Sequence, residues 1–219
     1  MTKLHLFAVN NTVLDLDCNV SWKEFAVKEG LAPADAAARA AEFQQAIESG
    51  SVNGCEFARF LLAEFAGKSK PEVMKITGKH FEEKIKPAIR KAAFDYIKQL
   101  IRNGESVAFI SSIDTSNAYY IALHCGVSDF IATASTIKND ALTDIPADAC
   151  AVGTGKIFQL GRLCERYGIT PCEVAYYGSS ADDLPLLKVV GKPIAVMPVP
   201  ALREYAEKAN WQIIDNWAE

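Results

Sequence analysis

The apolar positions of the chain change rhythm twice. Leu4–Val9 is apolar except at His5 and stops at Asn10-Asn11-Thr12, the pattern of a buried strand ending in a polar turn. From about Val20 to Lys86 the spacing is helical throughout. The Ala-rich stretch Ala34–Ile47 closes at Gly50, and Phe57, Phe60, Leu61 and Phe65 recur at helical intervals. Ser69-Lys-Pro-Glu72 is a capping box, in which the Ser hydroxyl accepts from the Glu72 N–H and the Glu carboxylate reaches back. After Pro87 helices and strands alternate. A helix at 88–103 ends at Gly104, a strand follows at 106–111, and a helix at 116–125 ends at Gly126. Then come a strand at 129–134, a helix at 156–167, a strand at 173–177, a helix at 182–190, a strand at 193–197, a helix at 200–209 and a strand at 211–215.

This alternation predicts an α/β fold, a Rossmann-like parallel sheet core flanked by helices on both faces. The helical stretch 15–86 interrupts it after the first strand and predicts an inserted α-helical cap, leaving 1–14 and 87–219 as the core. A chain of 219 residues has material for both. Trp22, Phe25, Phe57, Phe60, Phe65 and Phe81 are expected to form the cap's interior. His80 and His124 lie in helical patterns without evident partners and receive no catalytic role.

Composition narrows the function more than the fold. The net charge is −4 and no dense Lys/Arg run occurs, which argues against nucleic acid and anionic membranes as partners. No apolar stretch approaches the ~18 residues of a membrane span. The first apolar run is too short for a signal-peptide core, so a cytoplasmic protein is expected. The six cysteines, at 18, 55, 125, 150, 164 and 172, form no C-x-x-C pair, and reduced thiols rather than a zinc site are expected. Cys18 has no basic neighbour to lower its pKa.

Chemistry in a parallel sheet gathers at the carboxyl ends of its strands. Four places qualify: Ala8-Val-Asn10-Asn11-Thr12, Ser111-Ser112, Gly153-Thr-Gly-Lys156, and Gly178-Ser179-Ser180-Ala-Asp182-Asp183-Leu-Pro-Leu-Leu. Together they resemble the haloacid dehalogenase superfamily, in its phosphoserine-phosphatase-like branch with a helical cap after the first motif. The resemblance covers nearly the whole chain. Active members carry Asp-x-Asp-x-Thr after the first strand, a Ser or Thr ending the second core strand, a Lys opening a later helix, and a final Asp-Ser-x-x-Asp-Leu-Pro-Leu-Leu. Ser111, Lys156 and Asp183 match that pattern.

Three positions depart from it. The resemblance assigns the nucleophile and a Mg²⁺ ligand to position 8, where Ala8 has no lone pair to attack or coordinate. It assigns the general acid to position 10, where the Asn10 amide cannot donate a proton as an acid. It assigns a Mg²⁺ ligand to position 179, where Ser179 is a neutral substitute. The third loss, in a separate motif, counts toward natural decay and against the alternative that Ala8 and Asn10 are substitutions introduced to trap a substrate. What is left implies a vestigial phosphate- or anion-binding site at Ser111, Ser112, Lys156, Asn10 and Asn11. Asp183 with Ser179 and Asp182 is the one candidate for a residual Mg²⁺ site, and no cofactor is expected otherwise.

Asp183 against Lys156 sums to about zero, so an anion is expected to meet the lysine without metal. Asp15-Leu-Asp17 imitates the missing Asp-x-Asp but is out of register with the strand, and is read as the surface entry to the cap. The expected function is that of a phosphatase homologue without phosphohydrolase activity, acting through a small phosphorylated or anionic ligand or a protein partner. The alternative is an active or slow phosphoester hydrolase of a small phosphorylated metabolite with altered chemistry, in which water is activated near Asp183.

Overall fold

The computed structural model describes residues 2–217. The expected core limits at 1 and 219 fall outside that range. Six parallel strands form one sheet in the order β3-β2-β1-β6-β7-β8. They are β1 (Leu4–Ala8), β2 (Ser106–Asp114), β3 (Asp129–Thr133), β6 (Val174–Gly178), β7 (Lys192–Val196) and β8 (Gln212–Ile214). The chain builds outward from β1 in one direction, then returns to its other side. That reversal between β1 and β6 opens a crevice at the carboxyl ends of the central strands.

Every residue of β1 is buried, because the strand lies mid-sheet with helices on both faces. Its side chains alternate. Leu4, Leu6 and Ala8 pack with Ala108, Ile110 and Tyr176 beneath α7 (Gly155–Tyr167) and α9 (Pro200–Lys208). Phe7 faces the opposite layer, with Phe109 and Tyr177 against α5 (Lys91–Arg102) and α6 (Thr115–Cys125). The Phe7 and Tyr177 rings stack at 4.1 Å between centroids. Truncating a buried Phe of this kind costs about 3–5 kcal/mol. The register pairs Ala8 with Ile110 and Phe7 with Tyr177, so the ends of β1, β2 and β6 lie level.

Between β1 and α5 the chain forms α1 (Cys18–Lys28), α2 (Ala36–Glu48), α3 (Gly54–Leu62) and α4 (Lys70–His80). Trp22, Phe25, Phe65 and Val73 form one cluster there. Ile47, Phe57, Ala58 and Leu61 form another that takes in Cys150 and Val152. The second cluster ties α2 and α3 to the loop before α7. Phe81 packs instead with the α5–α6 layer of the main core. Lys23 is fully buried and its Nζ meets Glu64 Oε2 at 2.5 Å, an oxygen that also accepts from Trp22 Nε1. The capping box at Ser69 and Glu72 is formed. No helix among the described residues is long and apolar enough to cross a membrane, and the cysteines are unpaired.

Several element limits differ from those expected. The helix expected at 88–103 starts at Lys91, because Ile89 bridges to Leu14 and the Arg90 N–H donates to Val13 O. β2 runs three residues past Ser111, to Asp114, whose carboxylate caps α6. The helix expected at 182–190 is a 3₁₀ turn, Ala181–Asp183, followed by the short α8 (Leu184–Leu187). The hairpin of β4 (Ser135–Lys138) and β5 (Ala141–Pro146) is absent from the sequence reading. Its two-residue turn places Asn139 at φ 52° and Asp140 at φ 60°. Paired positive φ values are those of a type I′ turn.

Candidate functional site at the ends of the central strands

The ends of β1 and β2 and the turn after β6 enclose a cavity of about 40 Å³. That volume holds a few water molecules. Ala8, Asn10 and Asn11 line it from the first turn, Ser111 and Ser112 from β2, and Lys156 from the first turn of α7. Asp182 and Asp183 close one side, and Gln44 and Ile47 reach in from α2. The vestigial site residues expected from the sequence therefore meet at one place. A wider groove of about 870 Å³, between α5 and β8, is lined by Lys91, Tyr96, Arg102 and Trp217 and lies outside this constellation.

Lys156 is at the centre and is not free. Its Nζ lies 2.5 Å from Asp183 Oδ1 and 2.5 Å from Asp182 Oδ2, with Asp182 as buried as the lysine and Asp183 more so. Burial alone would lower the lysine pKa, but Asp183 and Asp182 outweigh it and the net direction is up. Burial likewise favours a protonated Asp183, but Lys156, the Tyr176 hydroxyl and the Ser180 N–H reverse that and hold it below its ordinary value. Asp183 Oδ1 accepts from Lys156 and Tyr176, and Oδ2 accepts from the Ser179 and Ser180 N–H groups and the Ser180 hydroxyl. Asp182 Oδ1 accepts from the Gly153 N–H at 2.5 Å. Gly178 makes this packing feasible, since a Cβ there would lie 2.7 Å from the Asp183 Cβ.

The turn after β1 does a different job from the one its position suggested. Asn11 adopts φ 57°, a left-handed conformation that Asn tolerates better than most residues. This folds the chain back so that Asn10 Oδ1 accepts from the Cys18 N–H and Asn10 Nδ2 donates to Asp17 Oδ2. Asp17 Oδ1 in turn caps α1 by accepting from the Asn19 and Val20 N–H groups. Burial pushes the Asp17 carboxyl up, against the opposing effect of those donors. Ser112 Oγ accepts from Asn19 Nδ2, fastening the end of β2 to α1. The buried Ser179 hydroxyl donates to Asn10 O.

Asp15-Leu-Asp17 therefore divides. Asp15 is exposed and pairs with Arg90, as a surface residue would. Asp17 lines the cavity, which corrects the reading of it as surface. The charge balance changes with it. Asp17, Asp182 and Asp183 line the same cavity as the single ammonium of Lys156, a formal sum of −2 for three carboxylates and one cation, not zero. His80 also has partners after all: its Nδ1 pairs with Asn117 Oδ1 at 2.7 Å and its Nε2 with Ser21 Oγ at 3.0 Å. Asn117 Nδ2 donates to Asp114, so this buried chain joins α1 and α4 to α6 beside the site.

The family model described as haloacid dehalogenase-like hydrolase matches residues 6–188. The chain belongs to that family. It is 27% identical over 227 residues to a histidinol-phosphatase of Neisseria meningitidis, covering 98% of this chain and 99% of that protein. It is 25% identical over 175 residues to the phosphoserine phosphatase SerB1 of Mycobacterium tuberculosis, covering 80% of this chain and 57% of that one. Among solved structures, a protein of unknown function from Bordetella pertussis superposes with TM-score 0.88 at 26% identity, each chain covered completely. A substrate-bound phosphoserine phosphatase superposes with TM-score 0.70 at 20% identity over 99% of this chain and 94% of that one, a likeness of fold.

The Mg²⁺ that this haloacid dehalogenase-like frame implies finds no fitting ligand set here. Mg²⁺ demands near-octahedral oxygen ligands and gives up its waters reluctantly. Ala8 offers a methyl group, the Asn10 carbonyl is used by Cys18, and both Asp183 oxygens are engaged. Among the described residues no three His, Cys, Asp or Glu side chains come together as a metal site. Sequence reasoning also missed Tyr176, Gln44 and Ile47. Tyr176 sits in an ordinary apolar strand run, and the two α2 residues reach the cavity only through the packing of α2 and α3 on the core.

Proposed function

We propose that this chain is a haloacid dehalogenase-like protein that does not hydrolyse phosphoesters and works by binding, with residues 15–86 acting as a cap over the cavity. The observation that carries this reading is the state of Asp183. It is the remaining carboxylate of the family pattern, and five donors occupy its two oxygens. Ala8 supplies no nucleophile beside it. The competing reading, slow hydrolysis by water activated near Asp183, needs an acceptor site that those donors already fill. A small phosphorylated or anionic ligand, which relatives named as phosphatases bring into the screen, and a protein partner are the two classes that this binding role leaves open.

The reading is tested by titrating Mg²⁺ into the wild-type protein and into the triple variant Ala8→Asp, Asn10→Asp, Ser179→Asp. The wild type is expected to show no saturable heat and no rise in melting temperature at millimolar Mg²⁺, whereas the variant gains both. Saturable Mg²⁺ binding by the wild type would overturn the reading.

A further inference from the structure

Lys156 and the loop before it form a cradle for an oxyanion. The buried ammonium and the Gly153 N–H converge on one point from two sides, with Ser111 and Ser112 on the same cavity wall. The group they hold is the carboxylate of Asp182, one oxygen on each donor, at 2.5 Å in both cases. Gly153 has φ 51°, and this left-handed turn aims its N–H at the carboxylate. Asp182 is not needed to neutralise Lys156, because Asp183 lies equally close to the same ammonium. A second carboxylate on an already paired lysine leaves the site with negative charge in excess, which repels an incoming anion.

We propose that Asp182 is an internal counter-anion that occupies the oxyanion cradle of Lys156 and Gly153 and thereby excludes phosphate and phosphate monoesters from the cavity. It is the specificity-determining residue of the site, and the excluded ligand class is the one that the cradle's donors would otherwise select. Replacing the carboxylate by a neutral group leaves Lys156 paired with Asp183 alone and returns one donor direction to the cavity. This inference rests on the binding role proposed above and refines which ligands that site accepts.

The test uses inorganic phosphate as the probe, in EDTA, by isothermal titration calorimetry on the full chain. Wild type, Asp182→Asn and Asp182→Asn/Lys156→Met are compared, with folding checked by circular dichroism. The expected result is at least about tenfold tighter phosphate binding by Asp182→Asn, equivalent to about 1.4 kcal/mol, and loss of that gain in the double variant. Asp182→Ser serves the same purpose if Asp182→Asn does not fold. Equal binding by wild type and the folded single variant, or a gain that survives Lys156→Met, overturns the proposal. Phosphoester turnover by the wild type would sink the non-hydrolytic reading alone, because these titrations involve no turnover.

Discussion

Lys156→Met removes the one cation from a cluster in which Asp182 and Asp183 are almost wholly enclosed, with side-chain exposures of 7% and 2%. Breaking a buried pair by deleting one partner costs about 3–5 kcal/mol, because the charge left behind has neither water nor a counter-ion. The hydrogen bonds from Tyr176, Ser179 and Ser180 remain and put the loss within that range rather than above it. For a chain of this size the loss amounts to a fall of roughly 6–20 °C in melting temperature. The pH dependence gives the sharper test. In the wild type the Asp183 pKa is depressed, so its contribution is present above the ordinary carboxylate range and is lost only as the pH falls through the folded value. The Lys156 pKa is raised, so its contribution is complete below the ordinary lysine value and is lost as the pH rises past it. Without the ammonium, burial of the Asp183 carboxyl is opposed only by its Tyr176, Ser179 and Ser180 donors, and the balance moves toward the protonated form. The variant is therefore expected to gain on the wild type as the pH drops from 7.5 to 5. Urea unfolding at both pH values measures the difference. A deficit below about 1 kcal/mol at pH 7.5, or one that widens toward pH 5, would refute the ion-pair geometry and with it the electrostatics of the site.

His80 should show itself in acid. Burial lowers its pKa from 6.5 to about 4, so the neutral form is the folded one and stability is lost as the pH falls from 6.5 toward 4. The span corresponds to about 3 kcal/mol, and His80→Gln should flatten the unfolding free energy across that window even if it lowers it at pH 7. An unchanged slope would mean that another group titrates there. Gly178→Ala places a methyl group 2.7–2.9 Å from atoms of the Asp183 side chain and should cost about 1–3 kcal/mol in thermal or urea unfolding. A variant as stable as the wild type would show that Asp183 has room to move.

The sheet was legible because its strands are apolar and its helices stop at glycines. Gly126 and Gly168 adopt left-handed φ at the ends of α6 and α7, where the sequence places them. Lys156 and Asp183 were legible through the resemblance, since each matches a family motif in sequence order, Lys156 in the first turn of α7 and Asp183 at the end of the turn after β6. Asp17 was not, because its direction depends on the left-handed turn at Asn11 and on the Asn10 amide that this turn delivers. The role of Asp182 was hidden too. The sequence sets Asp182 beside Asp183 as part of a candidate Mg²⁺ site, and its bond from the Gly153 N–H joins residues 29 positions apart. The β4–β5 hairpin escaped notice because its turn is Asn139-Asp140, without the glycine that marks the commonest hairpins. Each failure involves a contact between residues distant in sequence, or a turn whose conformation its residue types tolerate but do not announce.

The central claim concerns chemistry, so the most direct test is turnover. Phosphate release by the wild-type protein should be measured with a generic aryl phosphate and a panel of small phosphorylated metabolites, once with Mg²⁺ and once with EDTA. No release above the uncatalysed rate under either condition is the predicted result. Mg²⁺-dependent release that co-purifies with the protein and disappears in Asp183→Ala would contradict it, and would mean that another group performs the work of the nucleophile absent at Ala8.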